Sequence, residues 1–254
     1  MLASLIVAFS MYSRLPMPQI KWTEKSMRYA MLFFPCVGLV IGGAALLCFW
    51  GLFVLGAGEG LRAAAVTALP VLISGGIHLD GFIDTIDAKR SYKSREEKLE
   101  ILKDPHIGAF ALIYGALYLL LFFGGASELK RELLPAFALS FCLSRILSGI
   151  SVVTFPKAKE TGTLQAFAKT QNRRVLWGLL AELLLCAVLL VWLSPVYGVL
   201  MLLAGLLCFL YYYRMSSNVF GGTTGDLAGY FLSLAELVML WVLVMGKLTM
   251  TWYH

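Results

Sequence analysis

Charge is scarce in this chain. Asp, Glu, Lys and Arg make up only 14% of its 254 residues, 59% are hydrophobic, and the mean hydropathy is +0.80. That balance excludes an ordinary water-soluble domain, in which about a quarter of the residues are charged. Cysteine pairs are missing too. Cys36, Cys48, Cys142, Cys186 and Cys208 show no C-x-x-C spacing and all fall in apolar stretches, so packing is their expected role rather than disulfides or zinc. The apolar Met1–Tyr12 segment lacks the basic start of a secretory signal peptide, although an uncleaved anchor stays open.

Hydrocarbon is plentiful. A bilayer crossing takes about 20 apolar residues, and seven stretches meet that need: Tyr29–Leu55, Leu61–Leu79, Ile107–Gly125, Leu133–Thr154, Val175–Leu193, Val196–Tyr213 and Leu227–Met245. Met1–Tyr12 is too short to cross. Its Leu2, Leu5, Ile6 and Phe9 recur at helical spacing, which predicts an interfacial or re-entrant helix. The expected fold is all-α: one polytopic helical bundle over residues 1–254, with about seven transmembrane helices and that short N-terminal helix.

Lysine and arginine set the orientation. One set of alternate connections carries sixteen of them and the other set four. The rich set is expected in the cytoplasm, with the N-terminus inside and the C-terminus outside. The formal charge of +6 then follows from topology and anionic lipid, and gives no ground for nucleic-acid binding.

The unusual polar stretches all fall on the predicted cytoplasmic side. In "HLDGFIDTIDA" (78–88), Asp80, Asp84 and Asp87 share one helix face, since Asp84 is about 40° from Asp80 and Asp87 about 20° the other way. Carboxylates that close repel unless a cation neutralises them, and hard divalent ions prefer carboxylate and phosphate oxygens. A solvated helix end paired to Lys89 and Arg90 is the plainer alternative. Gly81 leaves room for a ligand to approach. "KDPHIG" (103–108) adds Asp104, which also suits an N-cap before Pro105, and His106, a base, a phosphate ligand or an interfacial anchor.

"GGTTGD" (221–226) is a glycine-rich turn opening the last crossing. Its free N–H groups suit phosphate, and Asp226 suits either a cap or a metal. Arg145 and Glu236 each lie about ten residues inside a crossing, roughly 15 Å deep, where a charge needs a partner. They are an ion pair, or Arg145 binds an anion, and the two roles are compatible. Glu182 is a third intramembrane acid. Arg14 in "SRLPMP" (13–18) is a phosphate grip or a lipid anchor. The basic stretch 155–174 serves topology, and some of its charge is suited to drawing in an anionic substrate.

Together these stretches resemble the cobalamin synthase family, the adenosylcobinamide-GDP ribazoletransferases, over almost the whole chain. "SRLPMP" is similar to that family's T-R-L-P-x-P opening, with Ser13 where threonine is common. "GGIHLDGFIDTIDA" resembles its G-G-x-H-L-D-G-x-x-D-x-x-D block, with Ala88 where glycine is frequent. "REEKLEILKDPHIGAFA", "LSRILSG" and "FGGTTGDLAGYFLSLAELVML" match its remaining segments, though histidine is not expected throughout the family at His106.

The resemblance implies that α-ribazole or its 5'-phosphate displaces GMP from adenosylcobinamide-GDP with Mg²⁺, in the assembly of coenzyme B12. Asp80, Asp84 and Asp104 are expected to hold Mg²⁺, with Asp226 as a further ligand or support and Asp87 as base. Arg14 and Arg145 would hold phosphates. Gly81, Gly221, Gly222 and Gly225 would let backbone approach substrate, and His78, Thr224 and Glu236 complete the binding set. The expected setting is the bacterial or archaeal cytoplasmic (inner) membrane, with a homo-oligomer or association with other B12-assembly enzymes as open partners.

Two other readings compete. CDP-alcohol phosphatidyltransferases also cluster aspartates, but their pattern has Ala-Arg after D-G and a later D-x-x-x-D, both missing here. A transporter would place substrate at Arg145 and Glu236. Transporters commonly carry internal repeats, and "HLDGFIDTIDA" does not recur in the other half.

Overall fold

In hydrocarbon, a chain can satisfy its backbone N–H and C=O groups only within helices or a closed barrel, and this sequence takes the helical route. The structure, a computed structural model, describes residues 1–158 and 173–251. Most of the basic stretch 155–174 therefore lies outside the described residues. A short helix α1 (Leu2–Tyr12) and a single turn α2 (Glu24–Met27) precede the long α3 (Ala30–Val54). Then come α4 (Glu59–Ser74), α5 (Ile77–Arg90), the short α6 (Arg95–Ile101), α7 (Ala109–Ser127) and α8 (Leu134–Thr154). Three further long helices follow: α9 (Arg173–Leu193), α10 (Pro195–Met215) and α11 (Gly225–Thr251). A π-helical turn, Ser216–Phe220, links the last two.

Among the described residues six helices are long and apolar enough to cross a membrane, or seven if α4 and α5 count as one bent crossing. The expected number stands, with one correction. The predicted straight crossing Leu61–Leu79 stops at Ser74, and α5 leaves it at 92°. Gly75 and Gly76 take φ of 68° and 82° in succession, the left-handed region that glycine enters without steric cost. The Gly76 N–H closes on the Val71 carbonyl at 2.9 Å. Hydropathy reads straight through this break because both sides of it are apolar.

Helices α8 and α11 form the centre of the bundle. In their most apolar stretches 83% and 72% of residues are buried, against 22% in α9, so α9 belongs to the lipid-facing rim. The α8 sequence explains its place. Ser140, Ser144, Ser148 and Ser151 are all buried, small enough for neighbours to come close. Ser140, Ser144 and Ser151 return their hydroxyls to carbonyls of Phe137, Phe141 and Ser148. Helix α3 meets α8 through Gly38 and Gly42, where an added Cβ would lie 2.3 Å from the Phe141 oxygen and 2.1 Å from that of Ala138. Helix α1 packs on α3 and buries Val7 and Ala8. All five cysteines are free thiols.

Candidate active site

The three aspartates of α5 gain their setting from its contact with the start of α11. At Gly81 the two backbones nearly touch: an added Cβ would lie 2.6 Å from the Asp226 carbonyl oxygen. At Gly229 it would lie 3.1 Å from that of His78. The Phe82 and Tyr230 rings stack beside this contact at 5.4 Å. Asp80 and Asp226 therefore become neighbours and line one cavity. Asp80, Asp226 and Asp87 all act on the half-buried Asp84 carboxyl through space. Asp87 in turn rests on Gly108, where its carboxylate fills the space a Cβ would need. Four acids from two helices thus gather in one neighbourhood.

Asp104 stands apart from them. It is exposed, accepts the His106 backbone N–H at 3.0 Å and pairs with His106 Nδ1 at 2.7 Å. His106 holds the Asp104 carboxyl below its ordinary range. The expected N-cap role is also corrected: α7 begins at Ala109 with Gly108 as its cap residue. Asp104 organises its own turn instead, and residues 105–108 stay outside the helix.

The glycine-rich turn supplies the opposite wall. Gly221 and Gly222 have φ of 78° and 152°. Thr224 caps α11 by accepting the Leu227 N–H at 3.3 Å, and its hydroxyl lies 3.4 Å from Asp226 Oδ2. At Gly225 an added Cβ would meet nothing within 4 Å, so packing alone does not demand glycine there. Two cations flank the turn. Arg95 of α6 lies against Gly221, with Nη1 2.8 Å from where a Cβ would sit. Lys157 pairs with Thr223 in an isolated parallel bridge. Its ammonium donates to the Phe155 carbonyl at 2.7 Å and that of Ser151 at 3.2 Å, and burial pushes its pKa down to about 8.

Arg14 lies against the helix break. Its N–H donates to the Ile73 carbonyl at 2.7 Å and its side chain covers Gly75. Deeper in the bundle Arg145 and Glu236 are 1% and 4% exposed and form an ion pair with each other. Ser144 donates to the same Glu236 oxygen at 2.9 Å, and Arg145 also reaches the Phe141 carbonyl at 3.0 Å. The ion pair that the sequence left open is present. His78 is buried beside Tyr12 and Phe34. Glu182, on α9, is half-buried with Oε2 lacking a hydrogen-bond partner.

Two cavities meet at Asp80. One, of about 600 Å³, is lined by Arg14, Gly75, Gly76 and Asp80 among others. The other, of about 230 Å³, is lined by His78, Asp80, Gly225 and Asp226 among others. The α5 block, the Arg14 segment and the glycine-rich turn, far apart in the chain, thus converge on one place. Residues 4–244 match the family model described as cobalamin-5-phosphate synthase. The chain belongs to that family.

Three relatives bear the name adenosylcobinamide-GDP ribazoletransferase. The protein of that name from Lachnoclostridium phytofermentans is 47% identical over 238 residues, covering 93% of this chain and 91% of its own. That from Desulfitobacterium hafniense is 36% identical over 239 residues, covering 92% and 93%. That from Pseudomonas entomophila is 38% identical over 222 residues, covering 86% and 88%. No solved structure matches the chain.

Tyr12 and Phe34 reach the smaller cavity, and Arg95 and Lys157 reach the glycine-rich turn, without having been singled out in the sequence. Arg95 and Lys157 sit in charge-rich stretches that look like topology signals, and two aromatics in apolar runs look like core. Among the described residues no three His, Cys, Asp or Glu side chains are arranged to hold a metal ion by themselves. The donor set nevertheless suits Mg²⁺, which keeps several waters and takes one or two carboxylates plus substrate phosphates rather than a full protein cage.

Proposed function

We propose that this protein is a membrane-embedded adenosylcobinamide-GDP ribazoletransferase, working at the cytoplasmic face of the inner membrane. The observation that carries the reading is the gathering of Asp80, Asp84, Asp87 and Asp226 around the Gly81–Asp226 contact, beside two cavities, in a member of this family. In the reaction a hydroxyl oxygen of α-ribazole, or of its 5'-phosphate, bonds to the cobinamide-side phosphorus. The phosphoanhydride bond to GMP breaks, and the hydroxyl proton passes to a carboxylate.

Asp80 and Asp226, which line one cavity, are the residues that would hold Mg²⁺ together with substrate phosphates, with Asp84 as support beside them and Asp104 held by His106 instead. Mg²⁺ supplies charge neutralisation on the phosphate oxygens. Asp87, fixed against Gly108, takes the proton. Arg14 and Arg95 grip phosphate oxygens, while the N–H groups of Gly221, Gly222 and Thr223, expected to be free for phosphate, are already held by the carbonyls of Ser217, Ser216 and Pro156. Catalysis of this kind depends on positioning and charge more than on covalent chemistry.

The test is GMP release from adenosylcobinamide-GDP and α-ribazole by protein in liposomes, with Mg²⁺ and with EDTA. Wild-type protein is expected to release GMP only with the metal. Asp80→Asn and Asp84→Asn are expected to lose about 10²-fold or more in turnover while still inserting in the membrane. Release of CMP from a CDP-alcohol pair, and none of GMP, would overturn the assignment.

A further inference from the structure

We infer that the smaller cavity is the seat of the acceptor's planar base, held by the Tyr12, Phe34 and His78 rings with His78 Nε2 as its hydrogen-bond partner. The inference rests on the proposed reaction and names which part of which substrate this cavity takes.

Size comes first. At about 230 Å³ the cavity falls below the range of about 300–1,000 Å³ usual for a whole drug-sized ligand, so it suits one ring system rather than a nucleotide. Its wall is aromatic. The Tyr12 and Phe34 centroids lie 4.1 Å apart, and the His78 ring lies 6.1 Å from Tyr12, inclined by 22°, and 5.9 Å from Phe34. Val152 and Leu232 supply apolar lining. A flat heterocycle finds stacking area and little to desolvate against.

One polar atom breaks this pattern. His78 is 8% exposed, and its Nε2 is buried with no hydrogen-bond partner among the described residues. Buried polar side-chain atoms are nearly always paired, and His78 lines the cavity. A ring nitrogen of a nucleoside base is a partner of matching chemistry.

Charge separates the two cavities. The larger one is lined by Arg14 and takes the anionic diphosphate of the donor. Among the described residues no lysine or arginine lines the smaller one, whose charged residues are Asp80 and Asp226, so a phosphate is unwelcome there without a cation between. Asp80 borders both. A base seated on the aromatic wall brings its sugar hydroxyls out at Asp80 and Asp226, facing the donor phosphate. The guanine of the donor is the competing heterocycle, and the experiment separates the two.

The experiment uses the full chain in liposomes, with KM measured separately for α-ribazole and for adenosylcobinamide-GDP. His78→Phe removes the nitrogen and keeps a ring, whereas Val152→Phe fills the cavity from another helix. Both are expected to raise the α-ribazole KM about tenfold or more, the worth of one ordinary hydrogen bond or more, and to leave the donor KM unchanged. His78→Gln is expected to restore part of the loss. A rise in donor KM instead means that guanine occupies the cavity and overturns the inference, as does unchanged KM for both substrates or a loss confined to kcat. Equilibrium dialysis of labelled α-ribazole, with no donor present, keeps the two proposals distinct. Binding that is lost in both variants supports the base seat even if wild-type protein releases no GMP, and binding that survives in both overturns the seat even if it does.

Discussion

At the scale of single residues, the Arg145–Glu236 pair gives the sharpest expectation. Both side chains lie deep in the bundle, and removing one partner leaves the other charge buried and uncompensated, a loss of about 3–5 kcal/mol. Arg145→Met is therefore expected to melt well below wild type in detergent, and Arg145→Met with Glu236→Met to recover most of the difference. A double variant as unstable as the single one would show that the pair is not the source. Lys157 gives a pH signature. Its pKa falls from an ordinary 10.5 to about 8 on burial, so the folded state binds its proton less readily than the unfolded chain. Lys157 therefore weighs against folding fully below about pH 8, and that burden lifts as pH climbs toward 10.5. Melting of wild type relative to Lys157→Met should improve over that window, and a flat difference would contradict the burial. Arg145 and Glu236 were legible in the sequence because a charge in an apolar run cannot be accidental. The orphaned nitrogen of His78 was not, because pairing is a property of neighbours rather than of spacing.

At the scale of elements, the two adjacent glycines at the helix break can be told apart. An added Cβ at Gly76 meets nothing within 4 Å, so Gly76→Ala isolates the cost of a left-handed alanine, about 1–2 kcal/mol. At Gly75 the same Cβ would lie 2.4 Å from Arg14 Nε, so Gly75→Ala is expected to cost more and to dislodge the Arg14 segment. Equal melting temperatures in the two variants would refute that difference. The break also shows why one element was misread. Apolar composition carries through Leu61–Leu79, while the backbone turns where two glycines permit it, and hydropathy is blind to φ. Asp104 was misread for a related reason: a cap signal ahead of a proline identifies a turn, and whether a helix follows at once depends on the residues beyond, here Ile107 and Gly108. The Asp80, Asp84 and Asp87 face was legible because helical periodicity fixes it.

At the scale of the molecule, lysine and arginine counts in alternate connections predict which end faces the cytoplasm. Tyr92, 96% exposed just after α5, and Gly56, in the α3–α4 connection, are placed on opposite sides. In a background freed of the native thiols, Gly56→Cys in spheroplasts should react with an impermeant maleimide, and Tyr92→Cys only after permeabilisation. The reverse pattern would invert the topology. Overall helicity and the number of crossings were legible from apolar run lengths. The ranking of helices from centre to rim was not, because α8 and α9 look equally greasy and only the small hydroxyl residues of α8 mark it as central.

The bare backbone junction at Gly81 has a larger consequence. With no side chain wedged between the strands of peptide, the span from one acid-bearing helix to the next is set by covalent dimensions, like the jaws of a locked caliper. Incoming molecules cannot pry it wider without parting the two backbones, so the separation of Asp80 from Asp226 stays fixed while substrates come and go.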